Sequence, residues 1–244
     1  MLTIGYSSCD FLDIVPDEIT TEADAFKDRN AAKNFVYSCY GYLPQSNVAS
    51  GSLDLLTGDE VITAFEHETF ASFPKGNYTA SSPVISYWNT FFQGLRQCYI
   101  FLENVDKVPD LTESVKTDYI AQVKFLIAYY HYQLARCYGP IIQIKELPDV
   151  NASQAEYLPR TSYDECVDWI CNLLDEAASS LPAIRTNKED YGLATSVGAK
   201  AVKAKMLLYA ASPLFNGNSS FYSNFTDKSG SQLMPLTYDP NKWA

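Results

Sequence analysis

The stretch FLIAYYHYQLARCYGP, residues 125–140, carries the clearest structural pattern of the chain. It continues a run that begins at Thr112, in which apolar side chains recur every three or four residues, the spacing of one face of an α-helix. Gly139 and Pro140 end the run, because glycine suits the backbone of a helix C-cap and proline cannot continue the helix. The sequence therefore predicts a long helix that ends at Tyr138.

Four further segments repeat apolar residues at the same spacing. The predicted helices run over residues 28–43, 84–108, 162–181 and 195–211. Asp28 is a suitable N-cap for the first, and Ser162 followed by Glu165 matches the capping box of a helix start. Since no segment shows a sustained strand-like alternation, the sequence predicts an all-α fold.

The helix predicted over 195–211 is rich in alanine, whereas the helices before it carry large aromatic side chains. Small residues at helical spacing let neighbouring backbones approach closely, as stacked helix hairpins require. This favours tetratricopeptide-like helix hairpins within the all-α class, although no regular 34-residue repeat is visible. Residues 45–84 lose the helical spacing and form a connection of a length usually associated with function.

The composition restricts the function. The chain has 244 residues, a net charge of −11 and 14% aromatic residues, with no run of Lys or Arg. A nucleic-acid partner is therefore not expected, because such proteins need a basic surface. With two histidines and no CxxC pair, the sequence predicts no metal site and no cofactor.

Five of the six cysteines fall within the predicted helices and are interpreted as small buried apolar residues. Cys9 differs, because it directly follows Ser7 and Ser8 in a pattern similar to a bacterial lipoprotein cleavage box. Residues 1–8 are then the remnant of a signal, Cys9 is the lipidation site, and the acidic segment 9–27 is a tether. A cysteine in a disordered leader is the alternative. No stretch approaches the roughly 20 apolar residues of a membrane-spanning helix.

Five segments, taken in order, resemble the N-terminal half of the SusD/RagB family of nutrient-binding lipoproteins. They are Cys9-Asp-Phe-Leu-Asp with Pro16; Asn30-Ala-Ala with Tyr40-Gly-Tyr-Leu; Trp88 with Phe92 and Asn104; the stretch 125–140; and Arg160-Thr-Ser-Tyr with Leu181-Pro182, Ala199, Ala204 and Leu207-Leu-Tyr209. The stretch 125–140 is the most specific of these. The resemblance covers nearly the whole chain.

The resemblance implies a protein anchored by lipid alone to the outer face of the outer membrane. It further implies a partner, a SusC-like TonB-dependent transporter, to which the protein delivers captured oligosaccharides or polysaccharide fragments. Residues 28–215 correspond to the family's N-terminal helical domain, and residues 216–244 to the start of a truncated second part. Neither a catalytic residue nor a metal is implied.

The resemblance also directs attention to the connection before Trp88, which contributes to the ligand face in the family. Carbohydrate binding needs flat aromatic faces together with polar groups for the hydroxyls. The candidate ligand-binding residues are Phe65, His67, Glu68, Phe70 and Tyr78. The alternative is that these aromatic rings fasten a long loop to the core.

Two other functions compete with glycan capture. One is a tetratricopeptide-like scaffold that binds only protein; the other is a glycoside hydrolase. Asp175 and Glu176 could serve as an acid and a base, but they lie on the polar face of a predicted helix, where a solvated role is the simpler explanation. Trp88 and His131 fall on helical segments and are interpreted as packing and hydrogen-bonding residues.

Overall fold

The computed structural model describes residues 22–45, 58, 64, 65, 67, 69–149, 151–153 and 158–243. These residues include five long helices: α1 (Arg29–Tyr40), α2 (Trp88–Asn104), α3 (Glu113–Tyr138), α4 (Tyr163–Ser180) and α5 (Ser196–Ala211). Single helical turns occur at Glu22–Ala25, Thr69–Ala71, Ser72–Lys75, Val105–Lys107, Lys188–Asp190 and Ser219–Tyr222. The described part contains two isolated β-bridges and no strand, so the all-α prediction is confirmed.

Side chains at the helix starts define where the long helices begin. The Asp28 carboxylate accepts two backbone N–H bonds at 2.9 Å at the start of α1, and Thr195 caps α5. The Ser162 capping box is only partly right. Helix α4 begins there as predicted, but the Ser162 hydroxyl donates to the Glu165 carboxylate at 2.8 Å and accepts no backbone N–H bond.

The end of α3 is held by a residue from farther along the chain. Gly139 has φ of +71°, which glycine adopts without steric cost, and the chain turns away there. The Arg160 guanidinium donates to the carbonyl of Pro140 at 2.6 Å, and also to that of Tyr138. A cation beside the last carbonyls stabilises a helix end.

The helices form a sequential stack. Helix α2 packs on α3, α1 contacts both, α4 packs on α3, and α5 packs on α4. The middle of α3 lies at the centre, where Leu126, Tyr130 and Leu134 are fully buried. Gly94 permits the close approach of α2, because a Cβ atom there would come within 3.1 Å of the Tyr130 ring.

Two predictions about individual segments need correction. Residues 22–27, the last part of the predicted tether, contain a helical turn, and the ring of Phe26 is buried 4.8 Å from that of Phe35. Residues 9–21 lie outside the described residues. Cys137 is exposed, because it lies on the outer side of the last turn of α3, whereas the other four helical cysteines are buried as predicted.

Helix α5 has apolar residues on all sides. Ala199, Met206 and Ala210 are buried against the stack, while Val197 and Leu208 are exposed. Within the part of the chain described, no helix is both long enough and apolar enough to cross a membrane.

Candidate functional site

The candidate residues lie in the connection before α2. We call the described residues 64, 65, 67 and 69–87 the aromatic connection. Phe65 is 63% exposed, and its ring centroid lies 5.8 Å from that of His67, which is also exposed. Glu68 lies outside the described residues. The structure thus brings two of the candidates together on the surface.

Tyr78 is positioned by a compact turn. The helical turn Ser72–Lys75 ends at Gly76, whose φ of +66° lets the chain reverse. The ring of Tyr78 then lies 5.5 Å from that of Phe73, tilted by 60°. Because Tyr78 is 51% exposed, the turn presents an aromatic face and a phenol hydroxyl to solvent.

Phe70 differs from the other candidates. It lies in the turn Thr69–Ala71 and is only 7% exposed, as its neighbour Ala71 is at 6%. Its ring therefore packs inside the protein and is not accessible to a ligand in this conformation. This placement agrees with the alternative interpretation, in which a ring fastens the loop.

The connection joins α2 through an aromatic cluster. The Tyr87 ring stacks on that of Phe91 at 4.9 Å, and the Tyr87 backbone N–H donates to the Tyr138 hydroxyl at 2.9 Å. Trp88 packs edge-on to Tyr138, and the Arg160 guanidinium lies 5.0 Å from the Trp88 ring. Trp88 is half-buried against the core, which confirms its interpretation as a packing residue.

His131 links α3 to the segment that follows it. Its ring lies 2.8 Å (Nδ1) from the Ile127 carbonyl, and its Nε2 atom accepts from the Ile144 N–H at 3.2 Å. Burial lowers the His131 pKa to about 4. Burial therefore keeps the ring neutral, and the two hydrogen bonds make it a structural group.

The carboxylates considered for catalysis form surface ion pairs. Asp175 contacts Lys203 at 2.6 Å, and Glu176 contacts Lys124 at 2.8 Å. Both carboxylates are more than half exposed, and the pairs join α4 to α5 and α4 to α3. Among the described residues, no group of three His, Cys, Asp or Glu could hold a metal ion.

A groove that the sequence did not predict runs between α1, the first half of α3 and the connection 181–195. It consists of two adjoining recesses with volumes of about 760 and 220 Å³. Lys33, Val115 and Tyr119 line both recesses. We call it the α1–α3 groove.

A continuous hydrogen-bond network forms one wall of the α1–α3 groove. Arg185 binds both carboxylate oxygens of Asp118, at 2.8 and 2.9 Å, and also donates to the Ala194 carbonyl. Gln122 donates to Asp118 at 2.8 Å and accepts from the Tyr40 hydroxyl, which itself accepts from the Ala194 N–H. Burial raises the pKa of Tyr40, so it stays a neutral donor.

The sequence contained no local sign of this groove. Asp118 and Arg185 are 67 residues apart, and Tyr40 and Ala194 are 154 apart. Each is unremarkable in its own segment, and only the stacking of α1 on α3 brings them together. Such long-range polar pairs can be recognised only in the folded structure.

The family of this chain is identified by comparison with known proteins. The SusD-like family model, described as starch-binding and associating with the outer membrane, matches residues 10–208. The chain belongs to the SusD-like family. No curated protein matches this SusD-like chain.

Solved structures agree with the family. BT4246 is 36% identical with a TM-score of 0.78, and the alignment covers 88% of this chain and 38% of that one. A SusD-like protein (BF3747) from Bacteroides fragilis is 26% identical with a TM-score of 0.65, covering 77% and 36%. A laminarin-binding SusD-like protein is 21% identical with a TM-score of 0.65, covering 76% and 41%. The chain thus spans well under half the length of these relatives.

The segments that carry the SusD-like resemblance hold the fold together. Tyr130 donates to the Cys39 carbonyl at 2.5 Å, which joins the stretch 125–140 to α1. Tyr40 belongs to the network beside the α1–α3 groove, and Arg160 secures the end of α3. In the aromatic connection, by contrast, Phe65 and Tyr78 are more than half exposed.

Proposed function

We propose that this SusD-like protein captures oligosaccharides at the cell surface and delivers them to a SusC-like TonB-dependent transporter. The observation that carries the proposal is the pair of exposed rings, Phe65 and Tyr78, in a connection flanked by a rigid helical stack. Exposed aromatic faces can stack on the C–H surfaces of sugars, and the nearby imidazole of His67 can bond a hydroxyl.

The family description supports the class of ligand. The matching family is described as starch-binding, and one structural relative is named for binding laminarin. Both ligands are neutral glucans, so we propose a neutral polysaccharide or its fragments as the ligand. Binding of this kind requires no nucleophile and no general base, and the protein acts as a binding protein rather than an enzyme.

The proposal includes a lipid anchor at Cys9, with the segment 9–27 leading to the helical part at 28–215. The match to a family associated with the outer membrane supports this location. Labelling cells with a radioactive or clickable palmitate tests the anchor, and Cys9→Ala should abolish incorporation. Label that persists in Cys9→Ala would contradict the anchor without affecting glycan binding.

The second candidate function is a scaffold that binds only protein, with the transporter as its partner. The exposed side of α5 favours some macromolecular contact, because the apolar side chains of Val197 and Leu208 face solvent there. A scaffold of this kind binds no sugar. Carbohydrate binding by the purified chain therefore distinguishes the two functions.

Affinity electrophoresis in gels containing starch or laminarin tests the proposed function. We expect the wild-type chain to be retarded and Phe65→Ala to lose at least fivefold in affinity, since the stacking face is removed. Tyr238→Ala is a matched control, because Tyr238 is 53% exposed but lies outside the aromatic connection. Equal retardation of Phe65→Ala and wild type would contradict the assigned site.

A further inference from the structure

We propose that the α1–α3 groove is a second carbohydrate site, which holds a short stretch of a neutral oligosaccharide. The class of ligand rests on the proposed function, whereas the site is new and shares no residue with the aromatic connection. The two recesses adjoin along Lys33 and Tyr119, so together they form a path rather than a single pocket. The larger recess, about 760 Å³, has the size of a typical small-molecule site.

The side chains lining the groove suit a sugar. Tyr37 and Tyr119 are half-buried on neighbouring helices and line the larger recess, and the Lys33 ammonium lies 5.5 Å from the centroid of the Tyr37 ring. Lys33 supplies a donor and Asp190 an acceptor in the same recess. A hydrogen bond to Tyr37 raises the pKa of Lys33, which keeps the amine charged and donating.

The groove is lined by three cationic and four acidic side chains, so neither sign of charge dominates. Arg185 and Asp118 neutralise one another in a bidentate pair, and Glu113 pairs with Lys116 at 2.8 Å. An anionic ligand would meet these carboxylates, and a cationic ligand would meet the guanidinium. A neutral polyhydroxylated ligand meets neither penalty, and it uses donors and acceptors equally.

The groove is also rigid where a ligand would rest. The network of Asp118, Gln122, Tyr40 and Arg185 joins three segments, so the wall does not need to order on binding. Preorganisation of this kind lowers the entropic cost of binding. The sugar would add contacts to a wall whose own hydrogen bonds are already made.

A peptide fits the groove less well than a sugar. Extended peptides bind by adding to a strand edge, and amphipathic helices bind in apolar grooves. The α1–α3 groove is bounded by helices and a connection, and it is lined by Lys33, Asp118, Arg185 and Asp190. The observations therefore favour carbohydrate over protein.

Titration calorimetry of the full 244-residue chain with maltoheptaose and with laminarihexaose tests the inference. We expect two molecules of one of these glucans per wild-type chain. Ser180→Trp fills the larger recess from an exposed position and should reduce the stoichiometry to one. Tyr37→Ala should weaken one of the two binding events at least fivefold. Ser220→Trp, at an exposed serine away from the groove, should retain two.

The outcomes separate the inference from the proposed function. If Ser180→Trp and Tyr37→Ala bind as wild type does while Phe65→Ala loses binding, the groove assignment is overturned and the proposed function stands. If neither glucan binds to wild type, both are overturned. If Ser180→Trp abolishes capture of a protein partner and leaves glucan binding unchanged, the groove is a protein site and the inference is wrong. Circular dichroism verifies the fold of every variant.

Discussion

Aromatic side chains have different environments in the helical stack and in the aromatic connection. In the stack, Phe91, Phe101 and Tyr130 are fully buried, and Phe91 stacks on Tyr130 with ring centroids 5.5 Å apart. In the connection, Phe65 and Tyr78 are more than half exposed. The residue types are the same, so their position in the periodic pattern, and not their chemistry, separates buried rings from exposed ones.

The polar atoms of the two regions differ in the same way. In the stack, the Tyr99 hydroxyl donates to the Ile144 carbonyl at 2.5 Å, and His131 joins α3 to the same segment. In the connection, Thr79 and Ser82 bond to each other across a tight turn, and the Tyr87 N–H at its end donates to the Tyr138 hydroxyl of α3. Residues distant in sequence thus meet inside the stack, whereas the exposed turn Thr79–Ser82 of the connection is closed by neighbouring residues.

The largest expected effect is on the stack. Phe101→Ala should lower the free energy of unfolding by about 3–5 kcal/mol, because it leaves a cavity among fully buried side chains. Phe65→Ala, the matched change in the connection, should alter it by less than about 0.5 kcal/mol. Urea denaturation followed by circular dichroism measures both. A loss in Phe65→Ala as large as that in Phe101→Ala would break the comparison.

Acidification should weaken the stack through His131. The folded-state pKa of about 4 lies below the ordinary value of 6.5, so the unfolded chain takes up the proton first. The stabilisation is complete above pH 6.5 and is lost as the pH falls through about 4. Such a shift corresponds to about 3 kcal/mol.

Comparing the unfolding free energies of wild type and His131→Gln isolates the contribution of His131, because the carboxylates titrate in both proteins. We expect the gap in unfolding free energy between the two proteins to narrow from pH 7 to pH 4. Parallel curves over that range would show that His131 does not carry the pH dependence.

Phe70→Ala should cost less stability than Phe101→Ala but more than Phe65→Ala, and it tests the boundary between the two regions. Because its ring is 7% exposed, Phe70→Ala should cost about 2 kcal/mol of unfolding free energy. It should weaken glucan retention less than Phe65→Ala does. Full stability of Phe70→Ala, together with a loss of retention, would move Phe70 back among the ligand-binding residues.

The sequence predicted the helices well for a physical reason. Burial of one face of a helix imposes a three- to four-residue spacing, and this spacing identified all five long helices. The expectation that helical apolar residues are buried failed at Cys137. The apolar pattern continues to the end of α3, but the described residues around it leave the Cys137 side chain exposed. It also missed the packing of Phe26, which lies outside any long periodic segment.

The candidate site was less predictable. The connection has no period, so the sequence could not separate the buried ring of Phe70 from the exposed rings of Phe65 and Tyr78. The α1–α3 groove depends on pairs such as Asp118 with Arg185, which meet only after the helices stack. The resemblance to SusD/RagB proteins pointed to the connection, and local geometry then ranked its residues.

Hydrogen–deuterium exchange with and without a bound glucan tests the central claim most directly. We expect slower exchange in the aromatic connection when starch or laminarin fragments are added, with the buried centre of α3 unchanged. Protection confined to the exposed side of α5, or no change in the aromatic connection at saturating glucan, would contradict it.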